Sequence, residues 1–280
     1  MNPSASAQKT ATGNAVGSRQ RVVIIGGGTG GISVAARLRR AGVRDIAIVE
    51  PSDQHFYQPL WTLVGAGIVR KEASVRGERP LIPDGVQWIK DRVEEIDPDT
   101  RSVTTRSGDK VGYEFLVVAP GIQIDWDRIP GLQEALKTPY VSSNYDYDLA
   151  EKTARMIEGF RGGNAVFTNP GTPIKCAGAP QKIMYLASHK WQRKGTLKDT
   201  NVIFGHAGAV MFGVPVFAQV LEQVVDRYGI DVHFKRELIE VRPGTKEAVF
   251  QIVGSAEGET EVIPYDIMHV TPRMSAPDFI

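Results

Sequence analysis

The chain of 280 residues carries 33 lysines and arginines against 32 aspartates and glutamates, so a basic surface for binding nucleic acid is not indicated. A hydrophobic content of 42% is typical of a globular protein, and no run of apolar residues is long enough to span a bilayer. With one cysteine and five scattered histidines, an intrachain disulfide framework is excluded and a metal centre is not expected.

Residues 1–20 predict a disordered tail, because they are rich in Ser, Thr, Ala and Gly and lack acidic residues. A mitochondrial transit peptide also lacks acidic residues. However, only Lys9 and Arg19 are basic here and no amphipathic period is present. A flexible tail is the preferred interpretation.

The segment Arg21 to Glu50 predicts a strand, a glycine turn, a helix and a second strand. The apolar runs at 22–25 and 46–49 are typical of parallel strands that are buried on both faces. The helix between them is predicted to end at Gly42. Residues 86–119 predict a β-meander, because turn sequences separate its strand-like stretches.

A second α/β unit follows in the sequence. Its predicted elements are a strand at 164–168, a loop with the cysteine, a helix at 179–194, a strand at 202–204, a helix from Pro215 to Gly229, and strands at 232–234, 238–241, 248–253 and 261–270. Two successive strand–helix–strand units with added β layers are typical of two Rossmann-like domains.

We therefore expect an α/β fold with two Rossmann-like domains of the type that binds FAD or NAD(P). The expected organisation is a tail at 1–20, a first Rossmann-like domain with the β-meander at 21–135, a second Rossmann-like domain with the cysteine at 136–275, and a short last segment at 276–280.

The glycine turn matches the pattern G-x-G-x-x-G with Gly26, Gly28 and Gly31. In this pattern the first glycine makes the tight turn, the second lets the backbone approach a pyrophosphate, and the third allows close packing of helix on strand. The N–H groups of the helix N-terminus can bind the phosphates. Glu50, after the second strand, can accept hydrogen bonds from ribose hydroxyls and would repel a 2′-phosphate. The pattern predicts FAD or NAD rather than NADP.

The tripeptide Ala119-Pro120-Gly121 follows a strand pair and precedes the sequence IPGL. This arrangement resembles the second signature of flavoproteins with two dinucleotide-binding domains. Their tripeptide is usually Ala-Thr-Gly, so Pro120 is a departure. The resemblance favours FAD in the first domain, with Ala119 and Gly121 among its binding residues.

Cys176 lies just before a predicted helix N-terminus and directly after Lys175. A cysteine in a sequence is more often an inert buried thiol than a nucleophile. Here the helix dipole and the adjacent cation favour a thiolate, and Pro173 and Pro180 restrict the loop. We therefore predict that Cys176 is a redox-active residue that faces the flavin.

Three segments resemble the sulfide:quinone oxidoreductases, in the branch that bacteria and mitochondria share: HFYQPLWTLVGAG, NPGTPIKCAGAPQKIMYL and HVTPRMSAP. The resemblance implies FAD as cofactor and Cys176 as the catalytic cysteine on the flavin side. It also implies cofactor contacts through several positions of this chain. These are Thr29 and Gly30 at the phosphate turn, Glu50 at the ribose, Gln58, and Val93 through its backbone near the adenine.

The family implies a two-electron oxidation of hydrogen sulfide to persulfide or polysulfide sulfur, with reduction of a ubiquinone-type membrane quinone and transfer to a small sulfur acceptor. It also implies a peripheral membrane protein, on the bacterial plasma membrane or the mitochondrial inner membrane. In the family, membrane contact is made by C-terminal helices, which would follow residue 280.

The chain departs from the family in two respects. It has one cysteine where the family uses two, and it ends at Ile280, before the family's Gly-Asp segment and second cysteine. In the family the FAD domain is discontinuous. The resemblance therefore implies that residues 21–135 are an FAD-binding domain that is incomplete here, because its last strand would lack a partner, and that residues 276–280 start the return to it. We interpret the chain as truncated or partial and of doubtful activity by itself. One alternative is a flavin-dependent NADH:quinone reductase, although the segment FGHAGAVMFG lacks the glycine pattern that a second dinucleotide would need. The other is a truncated, inactive flavoprotein that acts as a binding module.

The segment SHKWQRKGTLK interleaves Trp191 with basic residues. It suits either contact with a membrane surface or a solvated helix end whose cations complement the helix dipole. We prefer the helix end.

Overall fold

The computed structural model describes residues 19–256 and 258–280. The helices are α1 (Thr29–Arg40), α2 (Trp61–Gly65), α3 (Leu132–Ala135), α4 (Tyr147–Gly159), α5 (Ala179–Lys194) and α6 (Pro215–Tyr228). The strands are β1 (Arg19–Ile25), β2 (Ile46–Val49), β3 (Gln54–Phe56), β4 (Val75–Gly77), β5 (Val86–Ile89), β6 (Val93–Asp97), β7 (Ser102–Thr105), β8 (Lys110–Val118), β9 (Gln123–Ile124), β10 (Val141–Ser142), β11 (Gly163–Asn169), β12 (Thr200–His206), β13 (Asp231–Phe234), β14 (Arg236–Arg242), β15 (Glu247–Ile252), β16 (Thr260–Pro264), β17 (Ile267–His269) and β18 (Met274–Ser275).

The chain divides into two compact units. Unit 1 contains the described residues up to His55, Gly77–Gly121 and Pro277–Ile280, and unit 2 contains Phe56–Arg76 and Ile122–Ala276. None of the helices in the described part of the chain is long and apolar enough to cross a membrane.

Unit 1 contains a six-stranded sheet in the order β5-β2-β1-β8-β7-β6. Strands β5, β2, β1 and β8 run parallel, and β7 runs antiparallel to its two neighbours, β8 and β6. The apolar runs Val22–Ile25 and Ile46–Val49 are buried, as expected for central parallel strands. Helix α1 packs on the sheet through a narrow apolar face, in which Gly31 and Ala35 are buried.

The segment 86–119, predicted as one β-meander, contains a parallel edge strand and a separate antiparallel group of three strands. Strand β5 pairs in parallel with β2 at one edge of the sheet, whereas β6, β7 and β8 form the antiparallel part. Val86 and Ile89 of β5 are buried. This stretch therefore completes the parallel sheet instead of forming a separate layer.

Unit 2 contains a five-stranded parallel sheet in the order β10-β17-β11-β12-β13, and an antiparallel sheet of β14, β15 and β16. Its largest core cluster includes Phe167 of β11, Phe204 of β12 and Trp191 of α5, all buried. A second cluster joins Val166 of β11 to Phe250 of β15. Parallel sheets with helical crossovers in both units confirm the predicted α/β, Rossmann-like fold class.

The single strand predicted at 261–270 is wrong, because the segment forms β16 and β17 in two different sheets. The chain turns at Asp266, whose side chain accepts the N–H of Asn164 at 2.8 Å and whose own N–H donates to the Asn164 carbonyl at 2.8 Å. After this turn β17 inserts between β10 and β11.

The tail predicted at 1–20 differs from the structure at its end, since Arg19 and Gln20 already pair with Gly112 and Tyr113 of β8. The remainder of that prediction, residues 1–18, lies outside the described residues.

The predicted domain ranges differ from the two units in two segments. Residues 56–76 group with unit 2, where Trp61 and Val64 of α2 cluster with Ala150 of α4. Residues 122–135 also group with unit 2, because Leu132 packs in the cluster of β14 and β15. Residues 277–280 lie in unit 1, where Phe279 packs against its core.

Trp191 is buried in the core of unit 2, and its indole N–H donates to the Ile157 carbonyl at 3.0 Å. Lys190 and Lys194 both pair with Glu158 on the neighbouring helix α4. A membrane-contacting role for this tryptophan is therefore wrong, since its ring packs beside Phe160 and Phe167.

Candidate dinucleotide site and cysteine loop

The glycine turn of unit 1 is closely packed at two positions and open at a third. Gly26 has φ +96°, and a Cβ there would meet the carbonyl oxygen of Ala119. A Cβ on Gly31 would collide with the Gly26 carbonyl oxygen, whereas a Cβ on Gly28 would meet no protein atom within 4 Å. The turn therefore requires glycine for its own backbone at Gly26 and Gly31, and leaves free space above Gly28.

Helix α1 begins at this turn without a side-chain cap on its N-terminus. Thr29 and Gly30, in its first turn, are exposed. The first N–H groups of a helix have no partner within the helix, so they are available to a phosphate. Free N–H groups beside an open glycine position fit the pyrophosphate of a dinucleotide.

Glu50 faces the same turn from the end of β2. Its Oε2 accepts the N–H of Gly27 at 2.8 Å, and its Oε1 accepts the N–H of Ser52 at 2.7 Å. Each carboxylate oxygen keeps further acceptor capacity, which ribose hydroxyls could use. The residues present thus fit both the phosphates and the ribose of FAD.

Glu78 is a second carboxyl group at this turn, and no sequence motif predicts it. It is 1% exposed, and a Cβ on Gly27 would lie 2.5 Å from its Oε1. Burial raises the pKa of Glu78, His55 opposes the change, and the charge of Glu50 adds to it. His55 Nδ1 lies 3.4 Å from its Oε2 and 3.3 Å from the Gly27 carbonyl oxygen. An isolated acid in the sequence RGERP gave no signal for this cluster.

The remaining residues predicted for the cofactor lie at three places. Ala119 donates its N–H to the Ile25 carbonyl at 2.9 Å and so lies directly beside the glycine turn, and Gly121 follows it with φ +78°. Val93 is buried in the core of unit 1, where β6 pairs with β7. Gln58 belongs to unit 2 and contacts the cysteine loop there.

The cysteine loop of unit 2 joins β11 to α5. Cys176 is free and exposed, and it has φ +91°, a conformation that residues with a Cβ rarely adopt. Its carbonyl oxygen accepts the N–H of Ala179 at 2.8 Å, which fixes the loop to the start of α5. No side chain caps the N-terminus of α5, where the helix dipole can stabilise an anion such as the predicted thiolate.

Lys175 is bonded at its side chain and at its backbone. Its ammonium donates to Gln58 Oε1 at 2.9 Å, and its N–H donates to Met274 Sδ at 3.3 Å. Burial lowers the pKa of Lys175. Its cation, which the sequence analysis assigned to the thiol, is therefore directed at the amide of Gln58.

Tyr145 reaches the same loop from the segment after β10. Its hydroxyl donates to the Lys175 carbonyl at 3.3 Å. Burial raises the pKa of Tyr145, and negative charge on Cys176 raises it further. No local pattern around Tyr145 indicated this role, because the contact spans 30 residues of sequence.

Two cavities flank the N-terminal half of α5. One of about 290 Å³ is lined by loop residues, including Thr172 and Ala177, and by His206 at the end of β12. His206 Nε2 lies 2.9 Å from the Val210 carbonyl oxygen, and burial lowers the pKa of this imidazole. The other, of about 360 Å³, is largely apolar; its lining is Gly178, Gln181, Lys182, Tyr185, Phe212, Phe217, Val220 and Leu221.

No group of three or more His, Cys, Asp or Glu side chains among residues 19–256 and 258–280 is placed to hold a metal ion.

A family model described as pyridine nucleotide-disulphide oxidoreductase matches residues 20–158. The mitochondrial sulfide:quinone oxidoreductase of Mus musculus is 49% identical over 260 residues, which are 92% of this chain and 58% of that protein. The corresponding protein of Dictyostelium discoideum is 42% identical over 257 residues, covering 91% of this chain and 56% of that protein. The chain thus spans less than two thirds of the length of these relatives.

The fold is similar to the X-ray structure of the sulfide:quinone oxidoreductase from the hyperthermophilic bacterium Aquifex aeolicus. The TM-score is 0.79 at 21% identity, and the match covers 93% of this chain and 60% of that chain. The family model and these relatives imply a flavin cofactor for the chain. By its sequence and its fold, the chain belongs to the family of the sulfide:quinone oxidoreductases.

Proposed function

We propose that the full-length protein is an FAD-dependent sulfide:quinone oxidoreductase. In the reaction, hydrogen sulfide and a small thiol acceptor lose two electrons and two protons to form a persulfide, and a ubiquinone-type quinone takes up both electrons and both protons to become a quinol. Sulfite is an equally suitable small acceptor, which would yield thiosulfate. The observation that carries the proposal is an exposed cysteine, Cys176, in a conformation that its loop maintains at an uncapped helix N-terminus.

Bound FAD would supply the two-electron step between sulfide and quinone. In unit 1, the turn at Gly26, Gly28 and Gly31 and the first residues of α1 would hold the pyrophosphate, and Glu50 the ribose. The further contacts proposed for FAD are Thr29, Gly30, Gln58, Val93, Ala119 and Gly121.

In unit 2, the sulfur of Cys176 would hold the sulfane sulfur, and the cavity of about 290 Å³ beside its loop would be the site of the acceptor. This cavity is lined by the cysteine loop itself, and its volume suits a small acceptor rather than a dinucleotide. The residues that follow β12, 207–213, contain no G-x-G-x-x-G pattern for a second dinucleotide. A small donor of electrons is therefore favoured over NADH.

We propose peripheral attachment to the membrane that contains the quinone. The site would be the bacterial plasma membrane or the mitochondrial inner membrane; the mouse and Dictyostelium relatives are named as mitochondrial proteins. Quinones are confined to the lipid phase, so an enzyme that reduces them must contact it.

The test is sulfide-dependent quinone reduction by the full-length, FAD-loaded protein. Cys176→Ser is expected to lower the rate by at least about a hundredfold, because the serine hydroxyl forms no persulfide. Lys198→Met, a change at an exposed residue after α5, is the control and should leave the rate unchanged. Flavin bleaching by NADH but not by sulfide, or full activity of Cys176→Ser, would contradict the proposal.

A further inference from the structure

Cys176 has a backbone conformation that its surroundings must hold in place. A φ of +91° is unfavourable for a residue with a Cβ, and it persists only where neighbouring contacts determine it. The side chain is exposed, so its own packing supplies little restraint. On the C-terminal side, the bond from Ala179 N–H to the Cys176 carbonyl supplies one restraint at 2.8 Å.

The restraint on the N-terminal side acts through Lys175. The Lys175 carbonyl belongs to the peptide plane whose rotation defines φ of Cys176. A bond to that oxygen therefore fixes the angle at which Cys176 leaves the loop. The donor of this bond is the hydroxyl of Tyr145, at 3.3 Å.

The N–H and the ammonium of the same lysine are also held. The N–H bonds to Met274 Sδ at 3.3 Å, and the ammonium to Gln58 Oε1 at 2.9 Å. Met274 is 3% exposed, and its own N–H donates to Thr172 Oγ1 at 3.3 Å. Thus β18 holds the cysteine loop at two points, and Tyr145 fixes the remaining polar group of Lys175.

Tyr145 is suited to be a permanent donor. The residue is 9% exposed, so water competes little for the Lys175 carbonyl. Burial and the charge of Cys176 raise the pKa of Tyr145 by more than a bond with Thr271 lowers it, so its hydroxyl keeps its proton across the neutral range. Its backbone is held in turn, because its N–H donates to Ser143 Oγ at 3.2 Å.

We propose that Tyr145 is a positioning residue for Cys176. Its hydroxyl holds the Lys175 carbonyl, and it thereby keeps Cys176 in the left-handed conformation that leaves the thiol exposed to a small sulfur species. The reaction of that sulfur rests on the proposed function, whereas the restraint on the loop can be measured without it.

Cys176 is the sole cysteine of these 280 residues, so a methanethiosulfonate nitroxide label reports on this loop directly. The label is attached to the full-length protein, in which any cysteine outside these residues is replaced by serine. Electron paramagnetic resonance then separates an immobilised component from a mobile one. Tyr145→Phe removes only the hydroxyl, and we expect the ratio of mobile to immobilised label to rise about fivefold, the factor for loss of one neutral hydrogen bond.

Two further variants complete the experiment. Tyr265→Phe is the matched control, because Tyr265 is a buried tyrosine of unit 2, 3% exposed, and its spectrum should equal that of the unsubstituted protein. Met274→Leu keeps the volume of the side chain but removes the sulfur acceptor of the Lys175 N–H, and it should also mobilise the label. Met274→Leu removes a different restraint from that of Tyr145 and shows how a loosened loop appears in the spectrum. If Tyr145→Phe fails to fold, Tyr145→Met, which also lacks a hydroxyl donor, is the second variant and should likewise mobilise the label.

The enzymatic readout uses the unlabelled, FAD-loaded protein. Tyr145→Phe is expected to lower the sulfide-dependent rate about fivefold and to leave the KM for quinone and the FAD content unchanged. A Tyr145→Phe spectrum that matches the unsubstituted protein would overturn the proposal, whether or not Met274→Leu mobilises the label. If the unsubstituted protein reduces no quinone with sulfide, the proposed function fails, and the spectra still decide the role of Tyr145.

Discussion

The ammonium of Lys175 donates to Gln58 Oε1 across 2.9 Å and joins two segments that lie 117 residues apart in the sequence. Both segments belong to unit 2. The sequence predicts Gln58 at the cofactor and Lys175 beside the thiol of Cys176. Within unit 2, the segment that contains Gln58 is thus a structural support of the loop that precedes Cys176.

The pairing of these two residues predicts a coupling in stability. Gln58→Ala leaves a half-buried ammonium without its acceptor and should lower the free energy of unfolding by about 1–3 kcal/mol. Adding Lys175→Met removes the cation, so the double variant should lose less than the sum of the single changes, by about 1–2 kcal/mol. Urea unfolding of the four proteins measures this. The control is Lys182→Met, which should add independently to Gln58→Ala; additive effects of Gln58 and Lys175 would contradict the coupling.

The glycine turn predicts different results for two neighbouring substitutions. Gly28 has φ −68°, and an added Cβ would meet no protein atom, so Gly28→Ala should leave the melting temperature unchanged. The added methyl group should nevertheless weaken FAD binding at least about tenfold. Gly31→Ala collides with the Gly26 carbonyl and should destabilise unit 1 itself. Flavin fluorescence titration and thermal unfolding separate the two effects. Gly159→Ala, another open glycine at the end of α4, is the control for FAD affinity.

His269 predicts loss of stability in acid. It is 1% exposed, its Nε2 accepts the Asn144 N–H at 3.0 Å, and burial lowers the pKa of His269 to about 3. Because the pKa is lower in the folded state, the unfolded chain binds more protons than the folded chain below about pH 6.5. The free energy of unfolding therefore decreases as the pH falls below that value.

The effect should reach about 2 kcal/mol between pH 6.5 and pH 5, at about 1.4 kcal/mol per pH unit. His269→Gln should remove this part of the pH dependence in urea unfolding, whatever its effect at neutral pH. The exposed residue His189, changed to Gln, should leave the slope as it is. If the slope is unchanged in His269→Gln, the difference in the pKa of His269 between the folded and the unfolded state is not the cause of this pH dependence, and the prediction fails.

Trp191 predicts a stability effect without a membrane effect. It is fully buried against Phe160 and Phe167, so Trp191→Ala should cost about 3–5 kcal/mol in urea unfolding. Lys194→Ala breaks an ion pair with Glu158 and should cost less than about 1 kcal/mol. Sedimentation with lipid vesicles should give the same bound fraction for the folded Trp191→Ala variant. Lost vesicle binding at unchanged stability would contradict the core position.

Local patterns predicted the elements whose residues carry their own signal. Helix α5 begins at Ala179, next to Pro180, and ends before Gly195 with φ +75°, and helix α6 ends before Gly229 with φ +62°. Buried parallel strands appear as continuous apolar runs, which made β1 and β2 predictable. In these cases the sequence specifies the ends of an element through proline, glycine and hydrophobic period.

Pairing between distant strands gave no comparable signal. The alternation of residues in 261–270 continues through Asp266, so the change of sheet between β16 and β17 depends on contacts with Asn164. The same limit applies to the site. Gly26, Gly31 and Glu50 form a local motif, whereas Glu78 and Tyr145 reach their partners only through the tertiary fold.

The insertion of β17 between β10 and β11 affects the order in which the chain can assemble during translation. Strands β11, β12 and β13 are neighbours in sequence order and can pair as they leave the ribosome. Strand β10, although synthesised before them, has no bonded neighbour in the sheet until residues 267–269 have emerged. A nascent chain arrested before that point would leave β10 outside the sheet and β11 as its unpaired edge, and we expect chaperone binding to concentrate there.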